Sequence, residues 1–414
     1  MKNQYTILAT SLSLAVTALT ASADVMDRPK GFKIGERLTI RPYVSLRYTF
    51  DSNIYSSKHG TSGSSWVINP GAGIEYVAEN WEIDGSAWYR YHAYNRYSSR
   101  INESSFGERL GLKWTDSLPD ERGWSFLVTE SYSQISQDDD LTENEGRGIW
   151  RDRKTFSASG ILERRINEHW HAAGEASFYY LDYDNSLNKY LPLYGWKRAT
   201  VGGDIGYAAS KWTDIIVAAN YQWYKQDNIP SNIRYTDESR GWVVMAGLGT
   251  RATERISYRI LTGWSRFEYA KGDAKDIDGW TYQATAKWKI SDTWNTMLLA
   301  TSYYQPSERE TASAIRVDSI SWGLAHTMVR GKLNATLDIN YRHETHEYNY
   351  TRGYDYDDDV ITARLGLNYT LNRFLSVYGR VEYQIDMYDS DSYARYDDYD
   401  YDRFRGTVGL RLTY

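Results

Sequence analysis

Seven histidines, several acidic runs and a long series of alternating arginines are the residues of this chain that could do chemistry. His343-Glu344-Thr345-His346 looks like a zinc motif but lacks one residue of the HExxH spacing. On a strand those two imidazoles point to opposite faces, so they cannot share an ion. There is no Gly-x-Ser-x-Gly elbow, phosphate loop or dinucleotide fingerprint. His92 and His346 fall near the ends of long loops, the positions where a catalytic group on the rim of a small barrel would sit, and no motif accompanies them. The chain is therefore expected not to be an enzyme and to need no cofactor and no metal. Carboxylate runs such as Asp138-Asp139-Asp140, Asp357-Asp358-Asp359 and the stretch from Asp389 to Asp402 lack the glycine and spaced ligands of a calcium loop. They are read as solvated loop charge, with cation bridging to lipopolysaccharide as the sharper alternative.

The arginines make sense only with the elements that hold them. The last stretch, Tyr401 to Tyr414, separates by alternate residues into two lists. Phe404, Val408, Leu410, Leu412 and Tyr414 fall on one face, and Arg403, Arg405, Thr407, Arg411 and Thr413 on the other. A strand sends successive side chains to opposite faces, so this is a ribbon with one apolar and one cationic side. The same pattern recurs in eighteen segments from 38–50 to 401–414, with sixteen as the alternative count; the two before the last are 359–371 and 373–387. Tight connections such as Glu79-Asn80, Ser210-Lys211 and Ser291-Asp292 alternate with long loops. Short turns on one rim and long loops on the other are the asymmetry of transmembrane β-barrels. The fold class expected is all-β, a closed antiparallel transmembrane barrel; a β-propeller has a similar period but less even alternation.

Bulk properties agree. The chain has 414 residues, no cysteine, 38 Tyr, 16 Trp, only 7 Pro and a formal net charge of -6. This balance excludes a general nucleic-acid-binding protein and any Cys-ligated metal. Mean hydropathy is -0.64, too polar for a helical membrane protein but suited to strands in which every second residue avoids lipid. A β-rich secreted protein would share that average. Residues 1–23 read as a signal peptide: Lys2, an apolar run to Leu19 and an Ala21-Ser22-Ala23 cleavage site. Residues 24–37 read as a periplasmic lead-in and 38–414 as the barrel, so the expected location is the bacterial outer membrane.

On these registers the apolar face carries rows such as Trp280, Tyr282, Ala284, Ala286, Trp288 and Ile290, with aromatics beside the short turns at Trp81, Trp170, Trp212, Trp294 and Phe374. Rings at both strand ends fit the interfacial girdles. The other face carries Arg41, Arg47, Arg90, Arg109, Lys113, Arg198, Arg251, Arg259, Arg342, Arg364, Arg380, Glu382, Arg403, Arg405 and Arg411. Each such charge in hydrocarbon costs about 2–4 kcal/mol near the midplane, so the set must line an interior. Eighteen strands enclose a space wide enough for water unless loops plug it. These residues are the candidate pore lining; the plainer alternative is an Arg–carboxylate lattice that only stiffens the wall.

Leu38 to Ser56, LTIRPYVSLRYTFDSNIYS, resembles the opening strand of the putative beta-barrel porin 2 family and of barrel proteins from exopolysaccharide operons. Pro42, Tyr48, Asp51, Asn53, Ile54 and Tyr55 carry the resemblance. It implies an outer-membrane barrel proposed for polysaccharide export or porin function, with no catalytic residues. The expected partners are outer-membrane lipid and lipopolysaccharide, the barrel-assembly machinery through the strand ending at Tyr414, and a saccharide solute; no nucleic acid is expected. Passive passage of acidic saccharides or exported polysaccharide is the leading expectation, and a structural or adhesive barrel with a plugged lumen is the other. Pro42 and Pro70 each forfeit a ladder hydrogen bond, which a bulge near the seam between the first strands would accommodate.

Overall fold

The computed structural model describes residues 31–54, 60–95, 103–116, 123–136, 152–183, 195–227, 238–250, 255–269, 276–306, 314–329, 331–347, 356–390 and 400–414. The expected signal peptide, Arg251, His59, Asp138 to Asp140 and most of the 389–402 run lie outside the described residues. A short β1 (Phe32–Ile34) precedes β2 (Leu38–Asp51), β3 (Gly63–Val77), β4 (Trp81–Tyr94), β5 (Glu103–Thr115), β6 (Trp124–Ser136) and β7 (Asp152–Arg165). There follow β8 (Trp170–Tyr183), β9 (Trp196–Ala208), β10 (Thr213–Gln226), β11 (Glu238–Thr250), β12 (Ile256–Tyr269) and β13 (Ile277–Lys289). The last six are β14 (Trp294–Pro306), β15 (Ala314–Met328), β16 (Leu333–Glu347), β17 (Tyr356–Thr370), β18 (Leu375–Ser390) and β19 (Tyr401–Thr413).

Each strand from β2 on pairs antiparallel with the next, and β19 returns to pair with β2 from Arg405↔Asp51 to Thr413↔Tyr43. The result is a closed barrel of eighteen strands. No described helix is long and apolar enough to cross a membrane. Below the point where β19 ends, β1 takes over the edge of β2, pairing Phe32↔Ile40 to Ile34↔Leu38. The Tyr414 ring stacks on Phe32 at 4.3 Å and on Phe374 at 5.8 Å, so the lead-in and the C-terminus are joined at the rim of the short turns. Only a short strand was missing from the expected lead-in.

The short turns repeat one device. Asn167 Oδ1 accepts from the His169 and Trp170 amides at 2.8 and 2.9 Å, and Asn372 Oδ1 accepts from Phe374 and Leu375 at 2.9 and 3.1 Å. Ser210 Oγ does the same for Trp212 and Thr213, and Ser291 Oγ for Thr293 and Trp294. A short polar side chain that caps the two or three amides ahead of it replaces a ladder partner and sets the turn. The capped segment carries an exposed aromatic in all four cases, Trp170, Phe374, Trp212 and Trp294.

The expected bulge is absent. Pairs Ile68↔Tyr91 and Gly71↔Trp88 keep one register, so β3 has no inserted residue; the β3–β4 ladder simply skips Asn69 and Pro70. Pro42 sits where the ladder to β19 runs out, and its carbonyl accepts from the Tyr414 amide at 3.0 Å. A proline costs least at such an edge.

Two departures from a uniform cylinder matter later. Register places Glu108 opposite Ala87 and Tyr132, and Glu130 opposite Leu110 and Ala158, so both carboxylates face outward in the middle of β5 and β6. Second, the wall bends sharply around β11 to β14, where β12 approaches β14 and β11 approaches β13 across an intervening strand. Lumen-facing glycines permit the bend: a Cβ on Gly247 would run into the Ile260 carbonyl, and one on Gly263 into the Val244 carbonyl. Neither obstacle is a flexible side-chain tip, so a Cβ there would force the backbones apart.

Gly247→Val and Gly263→Val are therefore expected to lose the folded barrel, seen as loss of the fast-migrating band in unheated electrophoresis samples. Gly379→Ala, whose Cβ would meet only the Thr407 carbonyl at 3.8 Å, is expected to keep it.

Candidate functional site

Alternation and ladder register together decide which side chains share the lumen. Directly opposed residues in antiparallel strands lie on one face. From Arg405↔Asp51 the face can be followed around the wall through Glu382↔Arg405, Arg364↔Glu382, Asp338↔Arg364 and Ser319↔Arg342. In the other direction it passes through Arg47↔Val67, Val67↔His92, Ser86↔Arg109 and Glu82↔Lys113. Arg198 and Arg259 join it through Tyr179↔Arg198 and Gly249↔Arg259. Every candidate pore-lining residue within the described segments lies on this face: Arg41, Arg47, Arg90, Arg109, Lys113, Arg198, Arg259, Arg342, Arg364, Arg380, Glu382, Arg403, Arg405 and Arg411. The opposite face holds the exposed Leu46, Val201, Ile260, Trp280, Leu365 and Val408.

The charges are organised as networks. Arg403 Nε lies 3.0 and 2.9 Å from the two Asp51 oxygens, with a further contact from Nη2. Arg405 Nε reaches Asp51 at 3.3 Å and its Nη1 reaches Glu382 at 3.8 Å. Glu382 also receives Arg364 at 2.7 Å and Arg380 at 2.8 Å. Two carboxylates thus hold four guanidiniums, linking β17 to β2 across the closing seam. Smaller pairs stud the rest of the face: Arg41–Glu75 at 2.5 Å, Lys113–Glu82 at 3.9 Å, Arg259–Asp204 at 2.9 Å, and Arg342 against Glu344. Arg90 lies over Trp88, Arg198 over Tyr179 and Trp196, and Arg411 over Tyr43.

The Asp51-x-Asn53 motif behind the family resemblance is the outer end of this seam. Asn53 donates its amide N–H to Asp51 at 2.9 Å and its side-chain N–H to the Asp402 carbonyl at 3.3 Å. The Ser52 amide donates to the Phe404 carbonyl and the Phe404 amide to Ser52 Oγ. The motif is a clasp between the first and last long strands.

Exposure divides the lumen by height. Toward the long-loop rim Arg403 is 2% exposed and Arg342, Glu344, Ile315 and Val317 are buried. Toward the short-turn rim the side chains of Lys113 and Arg380 are 50% and 51% exposed, and Arg109 and Arg411 are also exposed. The lumen also divides by sector. On β10 to β15 its face is charge-poor, with Ile216, Met245 and Leu261 packed together. At the outer end Leu181, Tyr183, Trp196, Tyr224, Phe267 and Ile277 form an aromatic-rich cluster with Tyr304. Sequence reasoning missed this cluster. The readable signal was a reversal at the strand ends, as in Arg266-Phe267-Glu268-Tyr269, where the charges take the outer positions because the outside is water there too.

Among the described residues catalytic chemistry has one structural candidate. His92 Nε2 lies 2.6 Å from Ser65 Oγ, and the imidazole stacks on Tyr94 at 4.5 Å. Both Ser65 and His92 are buried, so the pair is packed into the wall rather than open to a substrate. His343 faces outward against Asp359 at 2.9 Å, and the His346 side chain lies outside the described residues. Among the described residues no group of three or more His, Cys, Asp or Glu is arranged to hold a metal ion.

Comparison with known proteins gives one family. The profile described as "Putative beta-barrel porin 2" matches residues 196–414, more than half of the chain. No curated protein matches. Among solved structures, the apoprotein form of the FrpB iron transporter from Neisseria meningitidis has a TM-score of 0.44 and 10% identity, covering 92% of this chain and 82% of its own. The ferric-catecholate import receptor Fiu of E. coli K12 has a TM-score of 0.42 and 8% identity, with coverage of 90% and 81%. The copper transporter OprC has a TM-score of 0.45 and 9% identity, with coverage of 93% and 81%. Likenesses this weak fix no activity.

Removing one partner of the buried clasp strands the other. Arg403→Gln is expected to destabilise the barrel by about 3–5 kcal/mol, while the double variant Asp51→Asn with Arg403→Gln loses clearly less than the two single variants together. Denaturant midpoints of the four proteins of the cycle check this.

Proposed function

The chain belongs to the putative beta-barrel porin 2 family, and from that premise we propose that this outer-membrane barrel is a passive, non-enzymatic channel for hydrophilic solutes. The observation that carries the proposal is the exposure of Arg109, Lys113, Arg380 and Arg411 on the lumen face. Charged side chains keep that exposure only beside water, and a continuous wet lumen is what a solute needs. Acidic saccharides, including an exported exopolysaccharide, suit the wall best. Guanidiniums not fully neutralised by Glu382 and Asp51 attract the acid groups. Transport is then diffusion down a gradient, with affinity kept low by the number and spread of the cations rather than concentrated in one tight site.

The lumen face is packed in the outer half, where Arg403, Arg342 and Glu344 are buried, and more exposed in the half next to the short turns. The second reading, a structural or adhesive barrel with a filled lumen, draws support from the same buried outer half.

Planar-bilayer recording separates the two. Discrete open steps with a reversal potential favouring anions are expected, and a silent membrane would favour the filled barrel. Arg380→Glu combined with Arg411→Glu is expected to lower the anion-to-cation permeability ratio by about threefold or more at low salt, with the effect shrinking as ionic strength rises. Ser65→Ala is expected to leave conductance unchanged, and a fluorophosphonate probe should not label Ser65 in the folded protein.

A further inference from the structure

The ladder between β13 and β14 is the shortest in the wall. It runs only from Lys289↔Asn295 to Gln283↔Thr301. Above that point each strand stays paired on its other side, β13 to β12 as far as Phe267↔Ile277 and β14 to β15 as far as Pro306↔Ala314. The wall therefore forks toward the long-loop rim. Five residues of β14, Ser302 to Pro306, lie along the fork, about 17 Å of strand at the usual rise.

Three observations show that the fork is built rather than frayed. A hydroxyl stands in for a missing amide donor: Thr281 Oγ1 donates to the Ser302 carbonyl at 2.5 Å. Backbone groups in hydrocarbon require such replacements. Side chains also pass through the gap. Alternation along β14 and β15 would aim Tyr304 and Arg316 at lipid, yet both reach the lumen side of β13. A Cβ added to Gly279, a lumen-facing position, would lie 2.9 Å from Tyr304 Oη and 3.8 Å from an Arg316 nitrogen. Finally, the lumen wall beside the fork is apolar, with Tyr304 packed among Phe267, Ile277 and Tyr224. The lipid side presents Trp264 and a 64% exposed Trp280, with the Trp264 indole N–H donating to Asp278 at 3.0 Å above them.

We propose that this fork is a side portal between the lumen and the outer half of the bilayer, sized for a single acyl chain of an amphiphile, with Tyr304 and Arg316 as its shutter. A slot in a paired wall, apolar on its lumen face and flanked on the other by Trp264 and Trp280 beside the Asp278 and Asp318 carboxylates, and closed by movable side chains, admits a slender apolar chain whose head stays with those polar groups. The Arg316–Asp318 pair, 2.9 Å apart, holds the shutter side chain in place. This goes beyond solute passage along the barrel axis and does not depend on it.

The chain has no cysteine, so single labels are clean. Gln283→Cys puts a bimane label on the lumen face at the base of the fork, and Ser131→Cys puts one on the lumen face of β6, between two fully paired seams. Both are reconstituted in phosphatidylcholine vesicles with or without doxyl-labelled phosphatidylcholine. The expected result is quenching at position 283 at least threefold stronger than at 131, strengthened by Tyr304→Ala and abolished when Tyr282→Cys and Ser302→Cys are joined across the fork by a short bis-maleimide, the label then being attached at 283 through an unnatural azide residue. Equal, weak quenching at 283 and 131, or quenching at 283 that survives the cross-link, overturns the portal. Single-channel conductance of the cross-linked protein stays at the parent level if only the side path is lost, which separates failure of the portal from failure of the axial channel.

Discussion

Hydrocarbon offers no hydrogen bond, so every backbone amide in a lipid-facing wall must be satisfied by the wall itself. Closure of the sheet is the condition for all else in this molecule. The closing seam is held at each end by different means. At the long-loop end the Asp51–Arg403 clasp and the Ser52–Phe404 exchange lock β2 to β19. At the short-turn end the Tyr414 amide reaches the Pro42 carbonyl, and β1 continues the pairing of β2 beyond it. Both ends are needed because β19 alone leaves the first residues of β2 without a partner on that side.

Once the sheet is closed, parity does the sorting. A slip of one residue would send Arg403, Arg405 and Arg411 into lipid and Leu410 and Leu412 into the lumen. Most of the strands carry a charge on the lumen face, so the register is enforced many times over. This redundancy explains how the wall tolerates Glu108 and Glu130 on its outer face. Each opposes the rule locally, and neither can shift a register that its neighbours hold.

Much of this was legible in the residues. Strand ends set by a capping Asn or Ser and a girdle aromatic fell within three residues of expectation, because such turns are local. Lumen parity was legible for the same reason: alternation needs no knowledge of distant strands. Less legible was the start of β17, expected at 359 and found at Tyr356, since Asp357 and Asp359 look like loop charge until the strand is seen to project past the membrane into water. Trp88 shares parity with Glu82, Asp84 and Arg90 and so could have been placed in the lumen, where it covers Gly107. The gap at Pro70, the β1 pairing and the fork depend on which strand lies beside which and at what angle. No alternation pattern records an angle.

That angle connects the remaining features. In a regular barrel of eighteen strands the bend is shared equally, and long side chains fit everywhere inside. Here a larger share falls on β11 to β14, so the inner surface there is crowded and the outer surface splayed. Gly247 and Gly263 answer the crowding by having no side chain, and Ile216, Met245 and Leu261 pack beside them. The charges of that sector, Arg259, Lys287 and Lys289, keep to its short-turn end, and the larger arginine network lies on the arc from β16 through β19 to β5. A ladder stretched around such a corner gives way at one seam, and it gives way between β13 and β14, where the Thr281 hydroxyl and the Tyr304 ring fill in for it. The crowded glycines and the fork are thus two consequences of one unequal bend.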